Sequence, residues 1–313
     1  MKAIVYTEYG GPEVLKLVEH SKPVPRDNEI LVKVHATSVS SGVLWVRSGQ
    51  HPDSRLFTFV LRIMLGLRKP RKTILGFEMS GEIESAGKNV SLFKPGDKIY
   101  GTTTGLKQGA YAEYVSLPET WRQGIVALKP KNLSFEEAAT VPAGAITALQ
   151  LCRRAQIKSE YNVLVFGASG SVGSYTVQLA KYFGANVTGV CSTGKLELVK
   201  SIGADRVIDY TKVDFTQSDQ KYNIVIDAVG KISSSNCKKI LAKKGRFVSV
   251  KAPTNEKTEY LSYLKELIEA GHINPVIDKC YPLEQLAEAH RYVENGHKKG
   301  NVVISVSSKS QSK

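Results

Sequence analysis

Hydrophobic positions along this chain follow two different periods. Near the N-terminus they alternate with polar ones, as in Met-Lys-Ala-Ile-Val-Tyr-Thr-Glu-Tyr and again over 30–36, 81–85, 98–100 and 109–115. Alternation of this kind predicts half-buried strands, and Lys94-Pro-Gly-Asp97 predicts the turn before one of them. From Ser134 the period lengthens. Ser134-Phe-Glu-Glu137 reads as a capping box, and a helix is expected over 146–155 after Pro142. Continuous apolar runs then predict buried strands over 163–166, 185–191, 206–210, 222–227 and 245–250, with helices over 174–183 and 195–202 between them. Strands that alternate with helices predict a parallel sheet. Helices over 260–270 and 283–295 and a strand over 301–306 complete the pattern, with no internal repeat. The profile divides the chain into a β-rich domain from both ends, 1–125 with 261–313, and an inserted α/β domain, 126–260.

The most specific segment joins the first buried strand to its helix through Gly167-Ala-Ser-Gly-Ser-Val-Gly173. A strand that enters a glycine turn and opens a helix aims backbone N–H groups and the positive helix end at one spot, which suits a dinucleotide pyrophosphate. Ala168, Ser169, Gly170, Ser171, Val172 and Gly173 are therefore candidate cofactor residues. Gly170 would let the backbone approach the phosphates, and Gly173 would let the helix pack on the strand. Ala168 takes the place of the usual first glycine.

Ribose recognition is expected at the end of the next strand, about 20 residues on. No acid stands there to accept a 2′-hydroxyl. Ser192, Thr193 and Lys195 follow the strand, and Tyr210 follows the one after it. Hydroxyls and an ammonium suit a phosphate dianion, so NADPH is expected over NADH. Lys195 also reads as a solvated residue in the first turn of its helix.

Composition narrows the class. The 313 residues, 42% hydrophobic and 23% charged, suffice for two domains with their own cores. The N-terminus lacks a signal-peptide core and no apolar run is long enough for a membrane span, so a cytoplasmic location is expected. The polar tail from Ser307 is expected to fray. Cys152, Cys191, Cys237 and Cys280 lie far apart, which argues against a clustered zinc site. A net charge of +14 fits an anionic cofactor. It also permits nucleic-acid attraction, but basic and aromatic residues are not interleaved as a stacking platform, so no nucleic-acid partner is expected.

Gly76-Phe-Glu-Met-Ser-Gly81, Lys94-Pro-Gly-Asp97, Gly109-Ala-Tyr-Ala-Glu-Tyr114, the glycine turn, Gly203-Ala-Asp-Arg-Val-Ile-Asp-Tyr210 and Gly300-Asn-Val-Val-Ile304 occur in an order that resembles the medium-chain dehydrogenase/reductase superfamily. Within it, the chain resembles the zinc-independent quinone oxidoreductase (zeta-crystallin-like) branch. The resemblance spans nearly the whole chain. It implies an α/β protein: a GroES-like β-rich domain plus a Rossmann domain with a doubly wound parallel sheet. It also implies a homodimer through sheet edges, and NADPH-dependent hydride transfer to a small hydrophobic quinone or α,β-unsaturated carbonyl. Zinc-dependent relatives hold a metal at positions that here are Ser40, Phe77 and Ala143, so no metal is expected.

The same resemblance points to Ser40 and to His51, which replaces a common tyrosine after Arg47-Ser-Gly, as polar groups for the substrate. His51 reads as a proton donor or as an exposed loop residue beside Pro52. Trp45 reads as a pocket wall or as a core residue. Thr147 aligns with a residue near the nicotinamide, or caps its helix. The apolar stretch 56–67 with the basic run to Lys72 leaves three readings open: a lid formed by Phe57, Leu61 and Met64, a peripheral membrane contact, or a packed helix. Two other functions compete: alcohol/aldehyde oxidoreduction, and non-catalytic NADPH or RNA binding.

Overall fold

The computed structural model describes residues 1–51, 54–106 and 109–306. Along the chain run β1 (Lys2–Val5), β2 (Lys16–Glu19), β3 (Glu29–Ser38), α1 (Ser41–Ser48), α2 (Arg55–Leu65), β4 (Glu78–Ala86), β5 (Lys98–Thr102), β6 (Tyr114–Pro118), β7 (Val126–Leu128), α3 (Phe135–Ala138) and α4 (Val141–Ala155). There follow β8 (Asn162–Phe166), α5 (Ser171–Tyr182), β9 (Asn186–Cys191), α6 (Leu196–Ser201), β10 (Arg206–Asp209), β11 (Tyr222–Asp227), β12 (Leu241–Ser249), α7 (Thr258–Glu269), β13 (Ile277–Pro282), α8 (Leu286–Glu294) and β14 (Asn301–Ser305). Internal contacts divide the chain into two compact units, Met1–Ala143 with the segment from Ile277, and Gly144–Val276. Composition drew the limits at 125/126 and 260/261. In the fold β7 pairs with β5, and Arg153 of α4 stacks on Tyr260 and Tyr263 of α7.

The first unit is a seven-stranded sheet in the order β13-β14-β3-β4-β5-β7, with β6 also paired to β3. β3 is ten residues long and buried except at Glu29, Lys33 and His35, because it is flanked by β14, β4 and β6. Its apolar side chains join Ile4, Met79, Ile99, Leu117 and Ile304 in one core. The expected strand over 109–115 is displaced: regular pairing runs over Tyr114–Pro118, and Ala112 makes only an isolated bridge to Ala3. The capping box at Ser134 is present, with Ser134 Oγ accepting from Glu137 N–H and the Glu137 carboxylate accepting from Ser134 N–H.

The second unit is a five-stranded parallel sheet, ordered β10-β9-β8-β11-β12. Val163, Leu164 and Val165 of the central β8 are fully buried, which explains their unbroken apolar run. The chain proceeds from β8 outward to β10 and then crosses to β11 on the other side of β8. The strand order therefore reverses between β8 and β11, the position where open α/β sheets hold their ligands. Cys152 lies in α4 and Cys191 in β9; both are buried, and burial pushes their thiols up to about 12 and about 11. The tail from Ser307 and the neighbour of His51, Pro52, lie outside the described residues.

Candidate functional site

The turn after β8 is made by Gly167, whose φ of 76° lies in the left-handed region. Ala168 does not need that freedom. It is fully buried in the core beneath the sheet end. Gly173 is the close-packing position: a Cβ there would lie 2.1 Å from the Gly167 carbonyl oxygen and 2.9 Å from the Ala168 Cα. Gly170 is different. It caps α5 with extended backbone and no side-chain bond, and a Cβ on it would meet only the Gly167 oxygen, at 3.4 Å. Space thus lies above Gly170, in front of a helix N-terminus whose first turn has no intrahelical acceptors. That is a cradle which a pyrophosphate would fill.

The neighbouring loop closes on this turn. A Cβ on Gly167 would meet the Val229 side chain at 2.5 Å, and Ala228 N–H donates to the Phe166 oxygen at 3.0 Å. Asp227, fully buried at the end of β11, holds this loop by accepting from Gly230 N–H at 2.9 Å and from Ser249 Oγ at 2.9 Å. Asp227 was not among the expected site residues, because a buried acid at a strand end carries no local motif.

Ser192, Thr193 and Lys195 follow β9 as expected, in a short 3-10 turn. Gly194 between them has open space around it. The turn after β9 has a carboxylate beside it that its own sequence lacks, supplied by Asp209 at the end of β10. Parallel register sets Asp209 opposite Cys191, and its carboxylate accepts from Thr193 Oγ1 at 2.5 Å and from Thr211 Oγ1 at 2.6 Å. Those two hydroxyl bonds hold the Asp209 carboxyl below its ordinary range. The Thr193 proton is therefore directed at Asp209. Tyr210 is half exposed, with its ring 6.0 Å from that of Phe166.

Thr147 cannot be a helix cap. α4 begins at Val141 with Pro142 inside its first turn, where a missing N–H costs nothing, so Thr147 lies in the second turn. Gly144, one turn earlier on the same face, faces α5: its Cβ would lie 3.0 Å from Ser171 Oγ. Thr147 and the glycine turn thus belong to one region of the second unit.

In the first unit, Ser40 and Trp45 are placed by α1, a helix the sequence pattern concealed. Gly42, Val43 and Val46 give it weak propensity. Ser40 is the N-cap, with φ −97° and ψ 161° and no side-chain capping bond. Trp45 sits toward the other end, 39% exposed and thus not a core residue. His51 follows the C-cap Gly49. Its ring lies 5.0 Å from Trp45 and 5.3 Å from Phe57, and its N–H donates to Thr58 Oγ1 at 2.9 Å. The structure brings Trp45, His51 and Phe57 together. Ser40 lies roughly 7 Å further back along the α1 axis than Trp45 at 1.5 Å per residue, near Phe77.

The donor set does not fit zinc. Phe77 offers no lone pair and packs against the core, while Ala143 offers none from its side chain. Glu78, next to Phe77 in the chain, is buried and committed. It accepts from the Ser38 hydroxyl and from the Ala143 N–H, the latter at 2.8 Å. Among the described residues no group of three or more His, Cys, Asp or Glu could hold a metal ion.

Comparison with known proteins agrees with both units. Residues 26–150 match the alcohol dehydrogenase GroES-like domain family, and residues 171–274 match the zinc-binding dehydrogenase family. The chain is 36% identical to a 2-methylene-furan-3-one reductase of Solanum lycopersicum, over 97% of this chain and 79% of that protein. It is 33% identical to an Arabidopsis thaliana NADPH-dependent alkenal/one oxidoreductase, chloroplastic, with the same coverage. The solved quinone oxidoreductase of Coxiella burnetii superposes with a TM-score of 0.83 at 29% identity, covering 98% of this chain and 99% of that one. The chain belongs to the medium-chain dehydrogenase/reductase superfamily, with quinone oxidoreductases and enone reductases as its relatives.

Proposed function

We propose that this protein is an NADPH-dependent, zinc-independent reductase that delivers hydride to a quinone or an α,β-unsaturated carbonyl. The observation that carries the cofactor side is the uncapped α5 N-terminus with space above Gly170. Ala168, Ser169, Gly170, Ser171, Val172 and Gly173 would hold the pyrophosphate, with Thr147 beside the same turn. Ser192, Lys195 and Tyr210 would surround the 2′-phosphate, and Thr193 would join them by turning its hydroxyl from Asp209. Bound NADPH supplies the hydride.

The substrate side follows from the donor set. With Phe77 and Ala143 at the ligand positions, no Lewis acid polarises the substrate. The acceptor must then be activated already, as a quinone is, or an alkene conjugated to a carbonyl. The relatives named a methylene-furanone reductase and an alkenal/one oxidoreductase act on conjugated carbonyls by name. The same argument disfavours simple alcohols and aldehydes. His51 would hydrogen-bond or protonate the substrate oxygen, with Trp45 as an apolar wall and Ser40 as a second polar contact.

Two further parts of this reading concern assembly and place. A homodimer would form through an edge strand of the parallel sheet, whose two edges are β10 and β12. The cytoplasm suits a chain none of whose four cysteines is in a disulfide. The test is NADPH oxidation against a panel of quinones and enals with a chelator present throughout. Turnover with the chelator is the expected result. NADPH binding without turnover on any member would reject the reductase reading for that panel.

A further inference from the structure

Helix α2 is mounted the opposite way round from most surface helices. Two of its polar residues, Thr58 and Arg62, face the protein. Arg62 Nε donates to the Gly49 oxygen at 2.9 Å, its guanidinium lies 4.1 Å over the Tyr9 ring, and Thr58 Oγ1 accepts from His51 N–H. Tyr9 Oη donates to the Gly66 oxygen at 2.7 Å and fixes the helix end. The opposite face is apolar and in solvent: Leu56 is 72% exposed, Phe57 62%, Phe59 59% and Met64 71%, with Val60 and Ile63 between them. At 100° per residue these side chains fall on one side of the helix. No residue of α2 is buried, so the helix rests on the protein by one side and adds no buried side chain to the core.

The charges around this face have one sign. From Arg55 to Lys72 the chain carries six basic residues and no acid. Gly66 ends the helix, and Arg71 N–H bonds back to the Leu65 oxygen at 2.8 Å, which holds the exposed Arg68, Lys69 and Arg71 at the helix C-terminus. A second copy would oppose a cationic rim to a cationic rim on chains of net charge +14.

We propose that α2 and the basic segment to Lys72 dock this protein on an anionic lipid surface. The exposed apolar side chains would enter the boundary between headgroups and acyl chains, and the basic rim would face the lipid phosphates. At eleven residues the helix is about 16 Å long, too short to cross a bilayer, so it would lie in the surface plane. Among the described residues no helix is long and apolar enough to span. The proposal is independent of the catalytic reading.

The test is sedimentation of the full chain with vesicles of phosphatidylcholine alone and of phosphatidylcholine and phosphatidylserine in a two-to-one mixture. The expected result is binding to the mixed vesicles, weakened by salt and at least about tenfold tighter than to phosphatidylcholine alone. Phe59→Glu with Met64→Glu should reduce binding by about tenfold or more, and so should Arg68→Gln with Lys69→Gln and Arg71→Gln. Val213→Glu, an exposed apolar position elsewhere, should not. Thermal melts verify folding, and the charge variant tests the same surface should the apolar one fail to fold. The proposal is overturned by absence of binding to mixed vesicles. It is equally overturned by binding that both variants leave unchanged, which would be a diffuse effect of net charge. Conversion of a dimer to a monomer by the Phe59/Met64 variant, with vesicle binding retained, would make the face a contact between copies and reject the lipid surface.

Discussion

Two glycines three residues apart should fail in different ways when replaced by alanine. At Gly173 the new methyl would lie 2.1 Å from the Gly167 oxygen, 2.8 Å from its carbonyl carbon and 2.9 Å from the Ala168 Cα. All three are backbone atoms, so no side-chain rotation relieves the overlap. α5 must move away from the β8 turn by roughly 1 Å, and overpacking of this kind costs about 2 kcal/mol or more, or roughly 4–10 °C in Tm. At Gly170 the backbone is extended, with φ −83°, and the methyl meets only one atom at 3.4 Å. Stability should change by no more than about 1 kcal/mol, because the loss of a preferred N-cap residue opposes the gain from restricting the unfolded chain. The methyl would instead fill the space assigned to the pyrophosphate, and NADPH affinity should fall by at least about tenfold, or 1.4 kcal/mol. Thermal melts without cofactor measure the first effect, and a fluorescence titration with NADPH the second. A Gly173→Ala protein that melts with the wild type, or a Gly170→Ala protein with unchanged NADPH affinity, would refute the reasoning.

Other consequences are as specific. Lys195→Ala should weaken NADPH binding roughly tenfold to a hundredfold, the worth of a charge-assisted hydrogen bond, and leave NADH binding unchanged; equal losses for both cofactors would remove Lys195 from the 2′-phosphate. His290 is fully buried in the first unit, with Arg47 Nη1 donating to its Nδ1 at 3.1 Å and its Nε2 3.3 Å from the Tyr111 hydroxyl. Burial, with Arg47 second, lowers its pKa from 6.5 to about 3, so the unfolded chain takes up a proton there that the folded chain refuses. Stability should therefore fall as pH drops from 6.5 toward 3, by roughly 1 kcal/mol per pH unit from this group; in His290→Gln, melted across the same range, that part of the slope should vanish. Glu78→Ala leaves the Ser38 hydroxyl and the Ala143 N–H without their buried acceptor, and urea unfolding should register a loss of about 2–3 kcal/mol.

The elements were legible in the sequence wherever periodicity and local chemistry suffice. The alternation of β3, the apolar run of β8, the capping box at Ser134 and the glycine turn are each written within a dozen residues. Gly170 and Gly173 could be given different tasks from spacing alone, because strand, turn and helix are contiguous. α1 was not legible, since its glycine and β-branched residues carry little helical signal and tertiary packing holds it in place.

What only the tertiary structure decided were the juxtapositions across sequence. Asp209 reaches Thr193 because parallel register carries it there from the neighbouring strand. Glu78 joins β3, β4 and the start of α4 through residues 40 and 65 positions away. His51 stands between Trp45 and Phe57 only once α1 and α2 are packed. The sequence marked 56–67 as apolar and 68–72 as basic, but not which face of α2 turns inward. That was set by Arg62, whose guanidinium finds its acceptor and its aromatic partner on the protein, leaving the hydrophobic side outward. Local patterning specifies elements because backbone geometry repeats over a few residues. Sites depend on which distant residues the sheet register and the helix orientation bring within hydrogen-bonding distance.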